Sequence, residues 1–145
     1  MSRIAAIDYG EKYIGIALSD ALQITVQEST TFLNEKDILK KLKVLFDKNL
    51  IEEIVVGYPL TMKGEKGKKA NEVLGFILSL KKVLTQPIIK WDERLTTVST
   101  KRILQTEKRK IKQNKKIINK ISASLILQSY LEFRKNIDVI KNKDS

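Results

Sequence analysis

The chain has 145 residues, of which 42% are apolar and 31% charged, with a formal net charge of +11; that suits one folded domain with a real core and excludes a disordered chain. Cysteine and histidine are both absent, which excludes disulfides, thiolate or imidazole metal sites, a cysteine nucleophile and a histidine base. Catalysis by such a chain falls to carboxylates, lysine, arginine, hydroxyls or an oxygen-ligated ion such as Mg²⁺.

The first twenty residues set the frame. Ile4 to Ile7 is a short apolar run closed by Asp8, Gly10 supplies a turn, and Tyr13 to Leu18 reads as the returning strand of a hairpin. Nothing resembling a signal peptide precedes the run, and no stretch of about eighteen apolar residues follows, so a cytoplasmic protein with no membrane span is expected. A carboxylate at a strand end beside a glycine suits a metal or phosphate site, and equally suits a turn hydrogen bond. Gln23 to Leu33 reads as a third strand. Asn34 is expected to cap a helix whose apolar stripe is Ile38, Leu39, Leu42, Leu45 and Phe46, with Asn49 at its end.

Glu53 to Gly57 reads as a buried strand, parallel to the first because a helix joins them. A Gly- and Lys-rich loop around Lys63 and Gly64 follows, at the strand end where ligands of α/β sheets bind. A helix is expected from about Lys69 to Leu84. A last strand, Ile88 to Glu93, then ends in two carboxylates, Asp92 and Glu93. Thr96 or Thr97 caps a helix reaching about Glu107, and a final helix spans about Ile117 to Arg134. The order predicts an α/β fold with a mixed five-stranded sheet, three antiparallel strands then two parallel ones, and helices on both faces. Residues 1–136 form the expected domain and 137–145 a loose polar tail.

Between Lys108 and Leu131 there is no acidic residue, and Lys110, Lys112, Lys115 and Lys116 stand in a basic block. A polyanion is the natural partner, since each neutralised phosphate releases counterions. Drift in a chain rich in Lys, Ile and Asn explains such clustering less well. Asp8 and the pair Asp92/Glu93 stand at corresponding strand ends, where convergent carboxylates repel unless a cation lies between them. Mg²⁺ in such a cluster activates water and clamps a phosphodiester. Arg94 either contacts a phosphate or pairs with Asp92, and a helix start after Thr96 and Thr97 is suited to another phosphate.

Asp8-Tyr9-Gly10 with Ile14-Gly15-Ile16-Ala17, Val55-Val56-Gly57 with Pro59-Leu60, Trp91-Asp92-Glu93-Arg94-Leu95-Thr96-Thr97, and Ala123 with Ile126-Leu127-Gln128-Ser129-Tyr130-Leu131 occur in that order along almost the whole chain. In these the chain resembles the YqgF/RuvX family of ribonuclease H-like proteins, relatives of the Holliday-junction resolvases. The resemblance implies a ribonuclease H-like three-layer fold, a cytoplasmic bacterial nuclease processing the 5′ end of pre-16S rRNA, and Mg²⁺ or Mn²⁺ held by Asp8 and Glu93, with Asp92 beside them. Ribosomal precursor RNA is the implied partner and structured DNA the alternative. Lys12, Lys63, Arg94, Thr96, Thr97 and the basic block are the expected nucleic-acid contacts.

Three positions depart from the family pattern: Tyr13 stands for an arginine, Lys63 for an acidic residue, and Asn119 for a third active-site aspartate. Asparagine keeps an oxygen but loses the charge, which favours one metal over two. Two other readings therefore accompany the nuclease: a catalytically weak or inactive nucleic-acid-binding protein of ribosome assembly, and a junction-specific DNA endonuclease.

Overall fold

Apolar residues run unbroken through the first strand, and such a strand has both faces covered. The computed structural model describes residues 2–60, 63–64, 66–95 and 114–143. Strands β1 (Arg3–Asp8), β2 (Tyr13–Ser19), β3 (Val26–Leu33), β4 (Ile51–Tyr58) and β5 (Ile88–Asp92) form one sheet in the order β3-β2-β1-β4-β5. The first three pair antiparallel, and β1, β4 and β5 pair parallel, as expected. Helices α1 (Ile38–Lys48) and α2 (Lys68–Val83) cover one face, and α3 (Lys115–Lys143) covers the other.

Alternation along the strands divides the core in two. Ile7, Ile14, Ile16, Ile54 and Val56 pack with Leu42 and Phe46 of α1 and Leu80 of α2. Ile4, Ala6, Ala17, Val55 and Trp91 pack with Ala123, Ile126 and Leu127 of α3. At the far end of the sheet α3 is held to β4: the Tyr130 hydroxyl donates to Glu53, and Trp91 meets Tyr130 edge-on, ring centroids 5.5 Å apart.

Several boundaries differ from the sequence reading. Helix α1 begins at Ile38 behind Asp37, not at Asn34, because Asn34 is used in the turn between β1 and β2. Asn49 does end α1, donating from Nδ2 to the Leu45 carbonyl at 2.8 Å, and Leu50 follows in the left-handed region. Helix α3 runs on to Lys143, through the stretch expected as a loose tail. The helix expected after Thr96 and the basic residues Lys110 and Lys112 lie outside the described residues. No described helix is long and apolar enough to cross a membrane.

Candidate active site

The pleat decides which carboxylates share a face. Asp8 follows Ile4 and Ala6 by twos and so lies on the α3 side, at the carboxyl end of β1, only 7% exposed. Its register partner across the hairpin is Gly15. A Cβ on Gly15 would stand 2.0 Å from the Asn119 carbonyl oxygen and 2.4 Å from its carbon. Glycine here lets the backbone of α3 rest directly on β2, one strand from Asp8.

Gly57 does the same work on the other flank. It follows Val55 by two at the end of β4, the strand between β1 and β5. A Cβ there would lie 2.9 Å from Oε1 of Glu93 and 2.6 Å from Cδ1 of Ile126. Glu93 follows β5 in a 3-10 turn, Glu93–Leu95, and its carboxylate reaches over the space that Gly57 leaves open, toward the strand carrying Asp8.

Asp92 does not join them. It pairs in register with Tyr58, which belongs to the core under α1 and α2, so the pleat turns it to the opposite face. There its carboxylate is taken up by Arg94, with Nε donating at 3.0 and 3.1 Å, Nη2 at 2.7 Å and the Arg94 amide at 2.9 Å. The hydrogen bond to Asp92 raises the guanidinium pKa further. Of the two contacts expected of Arg94, the pairing with Asp92 is present. Its guanidinium also packs over Gly64, whose φ of +79° and missing Cβ (3.1 Å from Nη1 if built) make room for it. Of the two or three carboxylates expected to converge, Asp92 is turned to the other face, and among the described residues no group of three or more stands together as a metal cluster.

Asn119 reaches the turn between β1 and β2. Its Nδ2 donates to the Tyr13 carbonyl at 2.7 Å, and it fills the space beside Gly10, where a Cβ would lie 2.4 Å from that nitrogen. Asn34 holds the same turn from the other side, donating from Nδ2 to Gly10 O at 2.9 Å and from its amide to Lys12 O at 2.8 Å. Two asparagines therefore fix the segment just beyond Asp8. Sequence reasoning missed this role for Asn34, and took Gly15 and Gly57 only as motif members; a glycine inside a strand pattern is the signal that marks a close approach.

The basic residues fall around this rim. Lys12 is exposed with Nζ 5.5 Å from the Tyr13 ring centre, and Lys63 is exposed beside Gly64. Lys115 and Lys116 are exposed at the start of α3, where the Lys116 carbonyl accepts from Thr31 Oγ1 at 3.1 Å. Thr96, Thr97, Lys110 and Lys112 lie outside the described residues.

The fold of T. thermophilus RuvC in complex with a Holliday junction substrate superposes with a TM-score of 0.58 at 10% identity, covering 92% of this chain and 96% of that one. The fowlpox virus Holliday junction resolvase superposes with a TM-score of 0.55 at 12% identity, covering 90% and 98%. These likenesses show a ribonuclease H-like fold. In sequence, a protein of Halothermothrix orenii is 39% identical over 93% of this chain and 98% of its own length. One of Clostridium acetobutylicum is 44% identical over 89% and 97%. Both carry the name "Putative pre-16S rRNA nuclease". A family model described as RuvX, Holliday junction resolvase, matches residues 2–133. That span takes in the hairpin of Asp8, the Gly57 strand, the Glu93 turn and most of α3, and by it this chain belongs to the RuvX family.

Proposed function

We propose that the chain is a nuclease that hydrolyses phosphodiester bonds of the 16S rRNA precursor, at its 5′ end, in the cytoplasm during ribosome biogenesis. The observation that carries this reading is the Glu93 carboxylate lying over Gly57, on the face that Asp8 shares. The relatives named for pre-16S rRNA point to the substrate, and the net charge of +11 suits a polyanion.

The donor set suits a hard divalent ion. Asp8 and Glu93 offer carboxylate oxygens, and the space above Gly57, which any Cβ would fill, keeps the Glu93 carboxylate at the strand ends. Mg²⁺ or Mn²⁺ held there would offset the charge of the scissile phosphate and acidify a water. Asp8 and Glu93 bind and orient. Asn119 adds no charge; with its amide nitrogen given to Tyr13 O, it holds the turn after Asp8 in place. Arg94, steered by Asp92, and the rim lysines position the phosphate backbone.

The test is cleavage of purified precursor RNA and of a four-way DNA junction, each with Mg²⁺, Mn²⁺ or chelator. RNA cleavage that needs the metal and is lost in Asp8→Asn and Glu93→Gln is expected, with melting temperatures preserved. Wild-type cleavage by Asp8→Asn would falsify the carboxylate site. Tight RNA binding without cleavage would favour an assembly factor instead, the reading that the uncharged Asn119 supports. Cleavage of the junction alone would make the chain a DNA endonuclease.

A further inference from the structure

A pocket of about 330 Å³ opens beside the β1–β2 turn, between the starts of α2 and α3. Its walls include Tyr9 and Tyr13 from the turn and Lys12, Lys68, Lys69 and Lys115 from three separate elements. Glu11 and Glu72 also line it, so four lysines face two glutamates and the balance is positive. Tyr9 is backed by Phe76 of α2, with ring centroids 4.9 Å apart, and Asn119 forms part of the wall. Lys12, Lys115 and Asn119 also belong to the rim of the candidate site, whereas Tyr9, Lys68 and Lys69 have no part in the cleavage chemistry above.

Its composition selects a ligand. Lysines gathered from three elements suit a phosphate, and aromatic rings suit a base, the two features by which single strands are held without sequence preference. The volume lies at the low end of the range of about 300–1,000 Å³ for small-ligand sites. That is room for one nucleotide and not for a base pair. Its location fixes what the nucleotide adjoins: Asn119 lines the pocket and also rests its backbone on Gly15, which pairs with Asp8.

We infer that this pocket takes one unpaired nucleotide next to the scissile phosphate, its phosphate against Lys68, Lys69 and Lys115 and its base against the tyrosines. The inference rests on the nuclease reading for its orientation and adds a substrate class: a strand that is single at the cut, not a continuous duplex.

Binding is measured in chelator, so that no cleavage is required, with a single-stranded RNA labelled at its 3′ end and with the matched duplex. The wild type is expected to prefer the single strand, and a nucleoside monophosphate to compete better than inorganic phosphate. Lys68→Ala with Lys69→Ala should flatten the slope of log affinity against log salt by about 1.4, two contacts at roughly 0.7 each. Tyr13→Ala should lose roughly 5- to 150-fold in affinity, the usual effect of deleting a stacking ring, while Tyr13→Phe binds like wild type. An unchanged salt slope, equal affinity for duplex, or a Tyr13→Phe protein as weak as Tyr13→Ala would each overturn the pocket. A protein that cleaves RNA yet shows those results loses the pocket and keeps the nuclease. One that binds through the pocket and never cleaves does the reverse.

Discussion

The two faces of the sheet are built on different principles. Under α1 and α2 the strands offer large side chains, Ile7, Ile14, Ile16, Ile54 and Val56, and the helices answer with Leu42, Phe46 and Leu80. Under α3 the strands set small residues, Ala6, Ala17, Gly15 and Gly57, among Ile4, Val55 and Trp91, and the helix answers with Ala123 beside Ile126 and Leu127. The first face is thick and apolar, and its stability comes from area removed from water. The second is thin at Gly15, where the backbone of α3 touches β2 and brings Asn119 to the rim, and at Gly57, which leaves room for the Glu93 carboxylate. Asp8, Glu93 and Asn119 stand on the thin face, where a fixed backbone holds them in place, whereas Asp92 and Arg94 lie on the other.

That contrast is open to test by substitution. The largest effect on stability is expected on the thick face. Phe46, fully buried, leaves a cavity as alanine, and Phe46→Ala should cost about 3–5 kcal/mol. At roughly 2–4 °C per kcal/mol for a chain of this size, the melting temperature should fall by some 6–20 °C. Cleavage per folded molecule should stay as it was. A selective loss of activity would show that the two faces are not separate.

Gly15→Ala probes the thin face. Its Cβ meets backbone atoms of Asn119 at 2.0 and 2.4 Å, which cannot swing aside, so α3 must lift. Overpacking of this kind costs about 1–3 kcal/mol, and here the loss of activity should exceed the loss of stability. Gly75→Ala in α2 is the control: nothing lies within 4 Å of its Cβ, and replacing an exposed helical glycine should stabilise by up to about 1 kcal/mol. If both alanines behave alike in melts and cleavage, the close approach of α3 has no functional weight.

Asn119→Asp sharpens the comparison further. The change removes the Nδ2 donor to Tyr13 O and leaves a carboxylate oxygen facing a carbonyl oxygen. In chelator this should destabilise by about 1–3 kcal/mol. Added Mg²⁺ should recover the loss and reach half-maximal cleavage at lower concentration than in the wild type, because a third charge joins Asp8 and Glu93. Thermal melts with and without Mg²⁺, beside a metal titration of cleavage, measure both. Unchanged melting and metal dependence would put the side chain outside the site.

The smallest effect belongs to neither face. Glu52 accepts hydrogen bonds from Ser2 and Gln23, which lower its pKa from 4.5. A carboxylate with a depressed folded pKa contributes stability that is complete above its unfolded pKa and is lost as pH falls through the folded one. Glu52 is almost wholly exposed, so the contribution is small. Denaturant midpoints of wild type and Glu52→Gln should differ by a constant above about pH 5 and converge below pH 4.5. A difference that does not change with pH would remove the linkage.

Much of the architecture was legible in the chain because it is encoded locally. The two-residue alternation, the apolar stripe of α1 and the hairpin turn at Gly10 specify strands, helix and pairing sense over short spans. Asp8 was legible too, since a carboxylate closing a buried strand stands out in one dimension. What the tertiary structure alone decided was which distant groups meet. Residue type alone does not separate the adjacent Asp92 and Glu93, which only the family resemblance tells apart in sequence; the pleat sends Asp92 to Arg94 on one face, while the gap at Gly57 draws Glu93 to the other. Asn119 read as a weakened ligand, and its bond to Tyr13 O, across 106 residues of chain, makes it a brace of the turn. Such pairings depend on the register of strands and the depth to which a helix settles on them, and no local pattern of residue types carries either.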